Sequence, residues 1–330
     1  MSPESAVYGI LLAAVAAHLV FGGADFGMGL WGILRSVRDS EAEERRVHRM
    51  MGPVWEANHV WLVFVFALFF TVFPPAFSAF VRSLWVPLLL AAGAVGLRGA
   101  GFAFGREPGN SATARDFWRG IFIASSAAAP FFLGATVGAA LSGGMVITAG
   151  GKFLGNRGMD WMNPVSLATG AAGAAASAWL GAAALAREAD RSGDVPRASA
   201  WRRRAVIAAV IAAGFFGLVR LGVAPSPSSP AAISAEAGAA AFLLGIAGVT
   251  LLLGRFYTVA AVASALAAAA GVASLGLAWY PRLVGSFTAH TAKAPDAVLW
   301  ILTAAIAAGF AVVLPSFAGL YYLFRGGKRS

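Results

Sequence analysis

GPVWEANHVWLVFVFALFFTVFPPAFSAF, residues 52–80, carries one acid, Glu56, one histidine, His59, and no Lys, Arg or Asp. An apolar helix of about 20 residues, rising 1.5 Å per residue, crosses roughly 30 Å of hydrocarbon. The stretch therefore predicts a membrane span. Its ends are punctuated by proline. Pro53 suits a first helical turn, where no amide donor is needed, and Pro74-Pro75 ends or kinks the helix near the far surface. Glu56 and His59, one turn apart on one face, place an acid and an imidazole at its start.

Working outward from this span, similar apolar stretches predict helices near 6–34, 54–80, 82–104, 117–142, 163–186, 204–222, 236–253, 256–279 and 297–324, the seventh and eighth parted by Gly254-Arg255. The expected fold class is all-α, a polytopic membrane protein of about nine transmembrane helices. Composition agrees: only 12% of residues are charged, against about a quarter in an average soluble domain. Forty glycines suit helices in lipid, which gain nothing hydrophobically by associating and need close backbones to pack. The opening MSPESA lacks Lys and Arg, and the apolar run behind it exceeds a signal-peptide core of about 7 to 15 residues, so it is expected to stay as the first helix. Asn163-Pro164 caps and starts the fifth. Neither the hydrophilic loop near 187–204 nor the Pro/Ser linker at 223–235 can house a soluble catalytic domain. The expectation is one integral domain, with an N-terminal bundle over about 1–145 holding the polar residues and C-terminal helices over about 160–325.

A net charge of +10 can signal nucleic acid, but here the basic residues sit in short loops between apolar segments. With the N-terminus outside, nineteen of the 25 Lys and Arg residues fall on the inner side, among them Arg35 to Arg49, Arg98, Arg187 to Arg204, Arg255 and the basic C-terminus. Arg82, Lys152, Arg157, Arg220, Arg282 and Lys293 fall outside. Short basic loops stay cytoplasmic, so an odd number of spans is expected, with the C-terminus inside. The absence of cysteine excludes disulfides, Cys-type zinc sites and iron–sulfur clusters.

An ionisable group within the hydrocarbon costs about 2.5 to 3.5 kcal/mol on insertion scales, so each one needs a reason. The candidates are His18 and Asp25 in the first span, Glu56 and His59 in the second, and Arg98 in the third. His18, Gly22, Asp25 and Gly29 recur at spacings that predict one face. Two readings compete for Asp25. It either joins Glu56 and His59 in a proton path from the cytoplasmic side, or pairs with Arg98 as a structural ion pair. Trp55 and Trp61 read as packing or interfacial aromatics, Asn58 and His18 as structural hydrogen-bonding groups, and His48 as a solvated loop residue. Axial haem ligation by His18 and His59 is the alternative use of those imidazoles. No residue set suggests a bound metal.

GGADFGMGLW at 22–31, the stretch at 52–80, LRGAGFAFG at 97–105 and NPVSLATG at 163–170 together resemble subunit II of the cytochrome bd-type quinol oxidases, most like the cyanide-insensitive terminal oxidase branch. The resemblance implies two four-helix bundles plus a peripheral helix in the bacterial cytoplasmic membrane. It implies a heterodimer with a similarly folded subunit I that carries haems b and d and the quinol site, with small single-helix subunits as further candidate partners. It also implies a cytoplasmic proton-entry route through the acid after the motif's tryptophan, here Glu56 after Trp55, where many relatives have aspartate. Relatives with Asp-Gly-Phe-Asp carry an extra acid where this chain has Gly22. Some members hold a structural quinone in this subunit, a site that no residue set here marks. The runner-up is a stand-alone secondary transporter or proton-conducting membrane protein, though the inverted repeats of such folds are not evident.

Overall fold

Helix α1, Pro3–Leu30, opens with proline at its first position and Glu4 in its first turn, as a helix start favours. In the computed structural model, which describes residues 2–34, 50, 55–105, 107, 110–143 and 158–325, α1 is not uniform. His18–Gly22 form a π turn between two α-helical stretches, and a 3₁₀ turn, Trp31–Leu34, follows. The side chains at 55–57, 313, 314 and 316–325 are outside that description. So are the basic loop at 35–49 with His48, Pro53, Arg106, Lys152, Arg157 and the tail at 326–330.

The expected second span is shorter than 54–80. It divides into α2, Trp55–Val72, and α3, Pro74–Ser83, at Phe73, whose φ of −128° and ψ of 60° are not helical. Pro74 and Pro75 cannot donate backward into α2, so they start a new helix instead. Then come α4, Trp85–Phe104, and α5, Ala112–Leu141, capped by the Ser111 hydroxyl, which accepts from the Ala114 amide. Asn163 Oδ1 accepts from the Ser166 amide at 3.0 Å and caps α6, Pro164–Arg191, as its sequence predicts. Asp194 caps α7, Val195–Gly222. Helices α8, Ala231–Leu253, and α9, Tyr257–Trp279, are parted by a turn in which Arg255 takes a φ of 66°.

A short antiparallel ribbon, β1 Arg282–Val284 with β2 Phe287–Thr288, precedes the last helix, α10, Asp296–Arg325. It is the one departure from an all-α chain among the described residues, and it falls where Pro281 and Gly285 interrupt the helical pattern. Seven helices, α1 and α4 to α9, are long and apolar enough to cross a membrane; the described apolar parts of α2 and α10, Asn58–Val72 and Asp296–Val312, are shorter. The chain is a multi-pass membrane protein.

Packing is built on small residues. A β-carbon at Gly27 of α1 would run into the Ser177 carbonyl of α6, and one at Gly181 would lie 2.5 Å from the Gly27 carbonyl carbon. The two backbones touch there, which lipid-embedded helices need in order to gain dispersion contacts. Gly134 of α5 meets the Thr169 carbonyl of α6 in the same way, at 2.6 Å. Buried alanines of α6 and α7, among them Ala182, Ala186, Ala205 and Ala208, fill the adjoining core. This close α1–α5–α6 framework fixes where the polar residues of α1 point.

Candidate functional site

Asp25 and Arg98 are each 1% exposed, and Arg98 Nη2 lies 3.0 Å from Asp25 Oδ2. The arginine is held on every side. Its Nε donates to Ser126 Oγ at 3.1 Å, its Nη2 donates to the Asp25 carbonyl oxygen at 3.3 Å, and the guanidinium sits 4.9 Å from the Phe26 ring centre and 5.2 Å from that of Phe122. Ser126 in turn donates to the Phe122 carbonyl at 2.6 Å. Gly29 makes this possible, because a β-carbon there would collide with Ser126 Oγ. Arg98, counted among the inner basic residues in the sequence, is therefore a bundle residue and not a loop charge, because Asp25 supplies the counter-charge that burial requires. The loop asymmetry keeps its sign without it.

The stripe of His18, Gly22, Asp25 and Gly29 is not one face. A π turn takes more residues per turn than an α-helix, so His18–Gly22 rotates the register. Asp25 and Gly29 face α4 and α5, whereas the His18 ring lies beside Gly22 and hydrogen-bonds the backbone of Asn58 on α2. Phe26, 2% exposed, stands against both imidazoles, its ring centre 6.3 Å from that of His18 and 6.1 Å from that of His59. The Phe26 ring thus packs beside both imidazoles that haem ligation would use. Asn58 is buried, and Trp61 stacks on Phe21 and on Phe310 of α10. Trp55 and Glu56 lie in the first turn of α2, and their side chains are outside the described ones.

Asp25 Oδ1 and His18 Nδ1 are buried at the site with neither a hydrogen bond nor an ion pair. The Asp25 carboxylate and the two imidazoles are close enough for His59 to act electrostatically on both His18 and Asp25. The structure thus brings together four of the predicted residues, His18, Asp25, His59 and Arg98. Among the described residues, no group of three or more His, Asp or Glu could hold a metal ion.

A second polar cluster escaped the sequence reading. At the start of α1, the buried carboxylate of Glu4 accepts from Lys293 Nζ at 3.2 Å and lies 3.1 Å from His290 Nδ1, and Lys293 also donates to Asp296 at 2.6 Å. Asp296 and Glu4 together hold the Lys293 ammonium above the usual lysine range. The partners lie at opposite ends of the chain, so no local spacing could reveal them. Ser126 was missed too, since a serine pair in an apolar helix reads as packing.

A family model described as "Cytochrome bd terminal oxidase subunit II" matches residues 4–324. The chain is 31% identical over 96 residues to cytochrome bd ubiquinol oxidase subunit 2 of Bacillus subtilis (strain 168), covering 29% of this chain and 28% of that one. It is 29% identical over 136 residues to cytochrome bd-I ubiquinol oxidase subunit 2 of Escherichia coli (strain K12), covering 41% and 34%. These matches span about a third of each relative's length. A chain of the bd oxidase from Geobacillus thermodenitrificans superposes with a TM-score of 0.81 over 99% of this chain and 100% of that one, at 21% identity, which speaks for a shared fold.

Proposed function

Because this chain belongs to the cytochrome bd terminal oxidase subunit II family, we propose that it works as the haem-free subunit of a bd-type quinol:oxygen oxidoreductase in the bacterial cytoplasmic membrane. In this reading it pairs with a subunit I that carries the haems and the quinol site, stabilises that subunit, and admits protons from the cytoplasm. The finer architecture belongs to the same proposal: one integral domain of nine transmembrane helices, arranged as two four-helix bundles and a peripheral helix, N-terminus outside and C-terminus inside. Small single-helix subunits and a structural quinone join it only as candidates.

The observation that carries the proton role is the placement of the polar residues. His18, Asp25, His59 and Arg98 gather around Phe26, while α6 between 164 and 186 and the whole of α9 bring no charged residue to the bundle. Intramembrane ionisable groups are costly, and where they cluster they mark ion or proton pathways. Glu56, in the first turn of α2, is the entrance in this proposal. His59, one turn deeper, is the next group. Asp25, with Oδ2 held by Arg98 and Oδ1 unpaired, is the deep acceptor, and Arg98 is its counter-charge. Trp55, Asn58 and His18 shape the wall.

Co-expression with the neighbouring subunit tests the reading. A tagged copy of this chain should bring down a complex that contains haem and oxidises quinol, and the chain expressed alone should carry no stoichiometric haem. A chain that elutes alone, with no haem partner, would contradict the proposal and reopen the transporter alternative.

A further inference from the structure

His18 departs from what a packing residue needs. Its Nδ1 is buried without a partner, although buried acceptors in folded proteins are nearly always satisfied, since an unmet one is destabilising. The backbone around it is shaped to fit. His18 opens the π turn, a feature that often marks functional positions, and Gly22 at the end of that turn leaves room for the ring. A β-carbon at Gly22 would lie 3.1 Å from both Nδ1 and Cε1 of His18. The ring shares Phe26 with His59. Exposure separates it from Asp25, which is 1% exposed and locked to Arg98. His18 is partly exposed, and Phe21 in the same π turn is 52% exposed.

We infer that His18 is the outlet of the proton path, accepting at Nδ1 a proton that has come through Glu56 and His59 and passing it out of this chain toward the partner subunit. The inference rests on the proton-entry reading above. It keeps that reading's entrance at Glu56 and His59 and revises its end: Asp25, enclosed and held by Arg98, becomes a fixed charge beside the path, and His18 replaces it as the last group. In the transfer, an N–H bond at His59, or an O–H bond of an intervening water, breaks as an N–H bond forms at His18 Nδ1. The imidazolium returns to neutral when the same proton leaves for the next base. Nothing is oxidised or reduced. Among the described side chains, the charged or titratable groups near the ring are His59 on α2 and the Asp25–Arg98 pair; the facing stretches of α6 and α9 bring none.

The test uses the assembled oxidase and reads turnover, quinol KM, haem content and pH profile. His18→Gln keeps hydrogen bonding but cannot take up a proton, so turnover should fall by at least about tenfold, within the range of a lost general acid–base group, with KM and haem unchanged. In His18→Phe the same loss is expected. Adding Gly22→Asp to it should restore turnover, because a side chain at 22 projects onto the place of the ring, and the pH profile should move toward that of a carboxylic acid. Full turnover in His18→Gln beside an impaired Glu56→Gln overturns the outlet and leaves the entry standing. Full turnover in both overturns the entry itself. Should His18→Gln not assemble, His18→Phe with and without Gly22→Asp decides; failure of these to assemble as well makes His18 structural and overturns the inference.

Discussion

Cutting one side of the Asp25–Arg98 pair leaves a charge buried with nothing to answer it. Arg98→Met should therefore destabilise the complex strongly, by about 3 to 5 kcal/mol as for other broken buried pairs. Asp25→Asn combined with Arg98→Met removes both charges and should recover a good part of that loss, even where turnover stays low. Thermal unfolding of the purified complex checks this, and strictly additive losses would contradict the pairing. The same residues show what a sequence can carry. Asp25, His59 and Arg98 stood out because charge in an apolar span is rare. Which of them touch was open, because hydropathy says nothing of how helices turn toward one another. Ser126, Phe26 and Phe122 complete the arginine's surroundings, and none of the three differs locally from an ordinary packing residue.

Helices were the most legible part of the chain, since length and hydropathy alone place a span to within a few residues. The boundary of α2 moved because a proline pair ends a helix outright. The π turn at His18–Gly22 left no composition signal, and it redirected a stripe that looked like one face. Glycine contacts give a sharper element-scale expectation. Gly27→Ala and Gly181→Ala press a methyl into the backbone of the facing helix and should sharply lower the yield of monodisperse complex in size-exclusion chromatography. Gly93→Ala and Gly214→Ala, where nothing lies within 4 Å, should leave it unchanged. At the N-terminal end of α1, Lys293 has a raised folded-state pKa through Asp296 and Glu4. Its contribution is complete below the unfolded lysine value of about 10.4 and is lost as pH rises through the folded value. Thermal stability should thus fall in that alkaline window in the natural chain, with a smaller fall in Lys293→Met; equal falls would show that the contacts of Lys293 with Asp296 and Glu4 contribute nothing.

For the whole molecule, membrane character and helix order were written in hydropathy, and the side each loop faces was suggested by where the arginines cluster. The contact between Glu4 and Lys293, across nearly the full length of the chain, was not written anywhere local. Orientation is open to a clean measurement because the natural chain has no cysteine. Val195→Cys, at the exposed start of α7, should react with an impermeant thiol reagent only after the membrane is opened, and labelling in intact cells would invert the orientation. The central claim, that this chain feeds protons from the cytoplasm to its partner, turns on Glu56. Turnover of the assembled oxidase carrying Glu56→Gln, read beside its haem content, is the most direct measurement: the account predicts a marked fall with haems intact and much of the activity kept in Glu56→Asp, whereas full turnover in Glu56→Gln with intact haems would contradict it.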